Sequence, residues 1–147
     1  MLQLTPSLLA NDMCYDLSHR NLAGVRDKLT SFLSSIPYTM RRKDDENEKE
    51  RYFQYTFYLI LRLLSTFVVD VELIQSQGRV DCVVKTNTDI FIFEFKLDGS
   101  ADTALKQIED KGYAKPFENC GMPIYKIGVN FSSKTGTIAD WKEVLPC

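Results

Sequence analysis

The sequence predicts an α/β fold in which helices flank a mixed sheet. Three observations carry this. Residues 68–97 hold three short β-rich runs separated by turn signals. Residues 100–112 then switch to helical spacing, and residues 122–132 return to alternation. Before the first strand, "YFQYTFYLILRLLSTFVV" (52–69) is long and apolar enough for a buried helix.

In chain order, residues 7–35 look helical, with Leu17, Leu22, Val25, Leu29, Phe32 and Leu33 near helical period and Asn21 or Ser18 as a cap. Pro37 ends that segment. The mixed-charge run "RRKDDENEKER" (41–51) reads as a solvated linker entering a helix from about Glu48 to Phe67. Its acidic first turn suits the positive end of a helix dipole. Gln54, Arg62, Ser65 and Thr66 interrupt its apolar run, so a core helix is expected rather than a membrane span.

Val68 to Ile74, Arg79 to Lys85 and Ile90 to Leu97 read as strands, joined by "SQGR" and "TNTD" turns, which makes an antiparallel meander. Asp98 or Ser100 caps the next helix, and Gly112 and Pro116 bracket its end. "MPIYKIGVNFS" (122–132) is a fourth strand, free to lie parallel to an earlier one after the helical crossover. Trp141 in the tail is expected to pack onto the sheet.

The chain has 147 residues, 44% hydrophobic and 26% charged, which suits one folded core. A net charge of −2 gives no global pull toward nucleic acid, yet leaves a local basic cleft open. Cysteines at 14, 82, 120 and 147 form no C-x-x-C pair, and His19 is the sole histidine. Structural zinc and a disulfide framework are therefore disfavoured, and a reducing, cytoplasmic setting is expected. The N-terminus lacks signal-peptide organisation.

The stretch "DIFIFEFKLD" (89–98) sets an acid and a base inside an apolar strand. Alternation puts Glu94 and Lys96 on one face and Phe91, Phe93 and Phe95 on the other. An ion pair on a solvent-facing edge strand would explain this. So would a site, because "GRVDCVV" places Asp81 where a hairpin brings it to Glu94. Two adjacent carboxylates repel and call for a cation between them. Hard oxygen ligands of this kind suit Mg²⁺.

Asp81, twelve residues, then Glu94-Phe95-Lys96 resembles the PD-(D/E)XK nuclease superfamily. The element order is similar to its restriction-endonuclease-like core: helix, three-stranded antiparallel meander, helix, strand. The resemblance runs over roughly residues 46–142, from "NEKERYFQYTFYLI" to "KIGVNFS". It implies metal-dependent phosphodiester hydrolysis of nucleic acid, with DNA as substrate and Mg²⁺ or Mn²⁺ as cofactor. By resemblance, Asp81, Glu94 and the Phe95 carbonyl hold the metal and Lys96 positions the nucleophilic water. Glu50 matches an acid on the first core helix, with Glu46 and Glu48 in competition. Gln107 and Tyr113 resemble the Gln…Tyr pair of the RecB-like branch; a surface amide and a packing tyrosine are the plainer readings. Val80 stands where the superfamily's name has proline.

The resemblance also implies a bacterial branch in which this domain follows an AAA-ATPase-like domain, which is then a partner upstream or in trans. Residues 1–45 are accordingly expected to be a helical extension or the tail of an upstream domain, and 46–147 the nuclease-like domain. A non-catalytic module serving such an ATPase is the alternative, since a fold does not guarantee chemistry. Nothing in the sequence selects a base sequence, and no membrane association is expected.

Overall fold

The computed structural model describes residues 6–35, 70–76 and 79–146, with side chains over 11–34 and 82–146. The expected helix at Glu48 to Phe67 lies outside the described residues. Two helices open the chain, α1 (Pro6–Ser18) and α2 (Leu22–Ser35). The break between them comes from Arg20, whose φ of 58° is left-handed. Of the two candidate caps, Asn21 is the one used: its Oδ1 accepts the Gly24 N–H at 3.0 Å. Ser18 instead donates its hydroxyl to the Cys14 carbonyl.

Among the described residues the sheet has five strands in the order β1 (Asp70–Ser76), β2 (Arg79–Lys85), β3 (Ile90–Leu97), β4 (Ile124–Ser132) and β5 (Thr137–Val144). The meander β1–β2–β3 is antiparallel. β4 runs parallel to β3 after a crossover through α3 (Ala101–Lys111) and a short 3₁₀ turn at Lys115–Phe117. The mixed α/β sheet is as the sequence predicts. The first strand runs to Ser76 rather than Ile74. The tail adds an unforeseen fifth strand, antiparallel to β4, and from it Trp141 packs onto the sheet as expected. Five of the eight β5 residues, Thr137, Asp140, Lys142, Glu143 and Ala139, are polar or small, so its apolar alternation is too weak to read.

Alternation along the strands builds two apolar layers. On one side, Cys82, Val84, Phe91, Phe93, Phe95, Tyr125, Ile127, Val129 and Phe131 share a core with Met13, Leu17, Leu22, Val25, Leu29 and Leu33 of α1 and α2. The Trp141 ring meets Phe93 edge-on at 6.2 Å. On the other side, Val83, Ile90 and Ile92 pack with Ile108, Tyr113 and Ala114. Each strand of the sheet centre is thus covered on both faces, which removes water from anything placed there.

The α1–α2 break is tied to the β2–β3 turn. Arg20 Nε donates to Asp89 Oδ1 at 3.0 Å, and Asp89 is fully buried. The hydrogen bond and charge of Asp89 raise the Arg20 pKa above its ordinary value. Thr86 closes the same turn, its Oγ1 accepting the Asp89 N–H at 2.9 Å.

Candidate active site

β3 is the central strand, not an edge. That rules out the solvent-facing ion pair as the account of Glu94 and Lys96. Glu94 is 0% exposed and lies on the α3 side with Ile92. Among the described residues, neither of its carboxylate oxygens has a hydrogen-bond partner. Lys96 Nζ approaches Glu94 Oε1 only to 3.9 Å. A buried carboxylate left with one distant cation is costly, which is tolerated where a site requires it.

Lys96 is turned toward α3, and its ammonium donates to Gln107 Oε1. Gln107 is buried at 8% exposure, so the surface-amide reading does not hold. It shares the inward face of α3 with Ala101, Ala104 and Ile108. Small residues there let the helix lie close to the sheet. Gly128 of β4 completes the approach, since a Cβ at that position would stand 2.3 Å from the Ala101 carbonyl oxygen.

The start of α3 is pinned by hydrogen bonds at four successive residues, Asp98 to Ala101. Asp98, in a left-handed conformation (φ 53°), accepts from Ser133 N and Oγ. Gly99 N–H donates to Asn130 Oδ1 at 2.8 Å. Ser100, rather than Asp98, is the cap, accepting from Thr103 N–H. Ala101 N–H donates to Asp140 Oδ2 at 3.0 Å. At the far end Gly112 (φ 64°) terminates the helix as expected.

The other expected residues fall as follows. Asp81 pairs with Glu94 across β2 and β3 in the backbone register, and its side chain lies outside the described residues. Glu50, with Glu46 and Glu48, also lies outside them. The Phe95 side chain is packed in the α1–α2 core, 6.0 Å from the Phe131 ring, leaving only its main chain for the α3 side. Tyr113 packs at 9% exposure with Ile108 and Ala114 against Val83, Ile90 and Ile92. Among the described residues, the side chains of Glu94 and Gln107 both come to Lys96. Sequence reasoning assigned no role to Gly128, Asn130 or Asp140. "KIGVNFS" was the available signal: Gly128 and Asn130 stand opposite Glu94 and Lys96 in the β3–β4 register.

Glu94 fits a divalent cation on its own chemistry. It offers two hard oxygens, sealed from water and without a donor among the described residues, beside the backbone position of Asp81. No group of three His, Cys, Asp or Glu side chains converges among the described residues, and the side chains of Asp81 and Glu50 lie outside them.

The chain matches the PD-(D/E)XK nuclease superfamily over residues 48–141. It is also 34% identical over 138 residues to a protein of Azotobacter chroococcum mcd 1 described as an uncharacterized protein in the vnfD 5' region. That alignment covers 92% of this chain and 25% of the relative, so the chain spans about a quarter of the relative's length.

Proposed function

The chain belongs to the PD-(D/E)XK nuclease superfamily, and on that premise we propose that it hydrolyses phosphodiester bonds of nucleic acid, with DNA as the substrate. Nucleases of this superfamily typically use divalent metals. Mg²⁺ or Mn²⁺ would be held by Glu94, Asp81 and the Phe95 carbonyl, with Glu50 as a further ligand. When bound, the ion neutralises charge on the phosphate and acidifies a water.

The chain's own residues do the rest. Lys96 brings a positive charge to a nearly dry site, where it opposes charge developing on phosphorus. Gln107 fixes one ammonium hydrogen of Lys96, so the head group is oriented before substrate arrives. Tyr113 and the Ile108 layer exclude water from the α3 side. The observation that carries the reading is the sealed Glu94 carboxylate beside Lys96, without a hydrogen-bond donor among the described residues.

Residues 46–147 form the nuclease-like unit in this proposal, with α1 and α2 as an extension that shares its core. An AAA-ATPase-like domain upstream or in trans is the proposed partner, supported by the resemblance and by the greater length of the relative. A cytoplasmic setting is supported by the free thiols Cys14 and Cys120. Among the described residues no helix is long and apolar enough to cross a membrane.

The test is cleavage of single- and double-stranded DNA and RNA with Mg²⁺, Mn²⁺ or chelator. Wild type should cleave DNA in metal alone. Lys96→Ala should lose roughly 10²–10³-fold in rate while keeping its melting temperature. Glu94→Gln should abolish cleavage and the thermal shift on adding Mn²⁺. Equal cleavage by wild type and Lys96→Ala would refute the assignment. Metal-independent DNA binding without cleavage would make the domain a binding module.

A further inference from the structure

Asn130 is polar, buried at 7% exposure and placed on the α3 side of β4. It stands opposite Lys96 in the parallel register, so the two backbones are about 4.8 Å apart. A Cβ built at Gly99 would lie 3.4 Å from Lys96 Cβ and 3.8 Å from Asn130 Oδ1. The Lys96 stem and the Asn130 amide therefore border the same point. The β4–β5 register slips between Asn130 and Phe131, a local irregularity of the sort that re-aims side chains beside sites.

The amide orientation is set by its partner. Gly99 N–H only donates, so the atom that meets it is Oδ1. That turns Nδ2, with two hydrogens, the other way. No described residue accepts from Nδ2, and Asn130 keeps 7% of its surface exposed. A loop clamp alone needs only an acceptor, which aspartate or serine would supply. Asparagine adds donors, and unlike lysine it adds them without repelling Lys96.

We propose that Asn130 donates its free amide N–H to a non-bridging oxygen of the nucleic-acid phosphate at the Glu94–Lys96 site. It is a substrate-positioning residue, and this rests on the nuclease reading given above. The carboxamide is held rigid by Gly99, so the phosphate is oriented between a neutral donor and the Lys96 ammonium. The neighbouring Glu94 makes the choice of a neutral amide over a second acid sensible, because another carboxylate would repel both Glu94 and the phosphate.

Asn130→Asp keeps an oxygen for Gly99 N–H and removes the donor. Asn130→Ser puts a shorter neutral hydroxyl in place of the amide, which withdraws the Nδ2 donor from its position without added charge and so separates a lost donor from a gained repulsion. Both are measured for melting temperature, hydrogen exchange at the Gly99 amide, single-turnover cleavage of a DNA oligonucleotide in Mn²⁺, and binding of that oligonucleotide in Ca²⁺. The expected result is a protected Gly99 amide with at least ten-fold slower cleavage and weaker DNA binding in both variants. Cleavage and binding at wild-type level in either folded variant would overturn the proposal and leave Asn130 as a loop clamp, with the nuclease reading intact. A wild-type protein that neither binds nor cleaves the oligonucleotide would overturn both together.

Discussion

Gly128→Ala is the sharpest probe of how the fold positions the site. An added Cβ meets the Ala101 carbonyl oxygen at 2.3 Å, and Ala104 Cβ and Leu105 Cγ at 3.1 Å. The carbonyl is backbone and cannot rotate aside. It stands about 1 Å inside ordinary contact, so α3 must lift from β4 by about that distance. Such overpacking costs roughly 1–3 kcal/mol. For a domain of this size each kcal/mol lowers the midpoint by about 2–4 °C, so a fall of about 2–12 °C is expected. The same displacement carries Gln107 away from Lys96, and an error of about 1 Å at a reacting group costs on the order of 10²-fold in rate. The assay pairs thermal melting with single-turnover cleavage well below the variant's midpoint, so that only folded protein is measured. Gly121→Ala is the control: it has a positive φ of 81° but nothing within 4 Å of its Cβ. It should lose some stability to backbone strain and none of its rate. If Gly128→Ala melts and cleaves as wild type does, the close docking of α3 is not what orients Lys96.

Gln107→Leu removes the acceptor for Lys96 and should lower kcat by roughly 10–100-fold with KM little changed, the worth of a hydrogen bond to a charged group; Gln107→Glu, which keeps an acceptor, should recover part of it. Asp89→Asn weakens a fully buried carboxylate's bonds to Arg20 and Thr88, and should destabilise by roughly 1–3 kcal/mol in a denaturant titration while the rate per folded molecule stays the same. Ser100→Ala removes the α3 cap and should cost about 1 kcal/mol; a larger loss of activity than of stability would show that the pinned loop also serves the site.

The sequence by itself determined the mixed α/β sheet, the bounds of β2 and β3, and the face shared by Glu94 and Lys96. These are local properties. A strand's period of two assigns faces without knowledge of its neighbours, and turn residues mark its ends. The pairing of Asp81 with Glu94 was also legible, because a short hairpin connection leaves few registers open. The fifth strand was not legible, since an edge strand carries a polar face and little apolar alternation. Nor was the choice between Asp98 and Ser100, or between Ser18 and Asn21, because each pair offers equally good capping chemistry and only the backbone path selects one. The tertiary structure alone decided that β3 lies at the centre of the sheet, which turns Glu94 from an ordinary surface acid into a sealed one. It alone brought Gln107 onto Lys96 and set Gly128 and Asn130 opposite Glu94 and Lys96. Those meetings depend on the helix crossover and on the parallel register of β4, in which residues more than thirty positions apart become neighbours. No pattern within a single segment encodes a distance between two segments, so contacts of that kind appear only once the chain is folded.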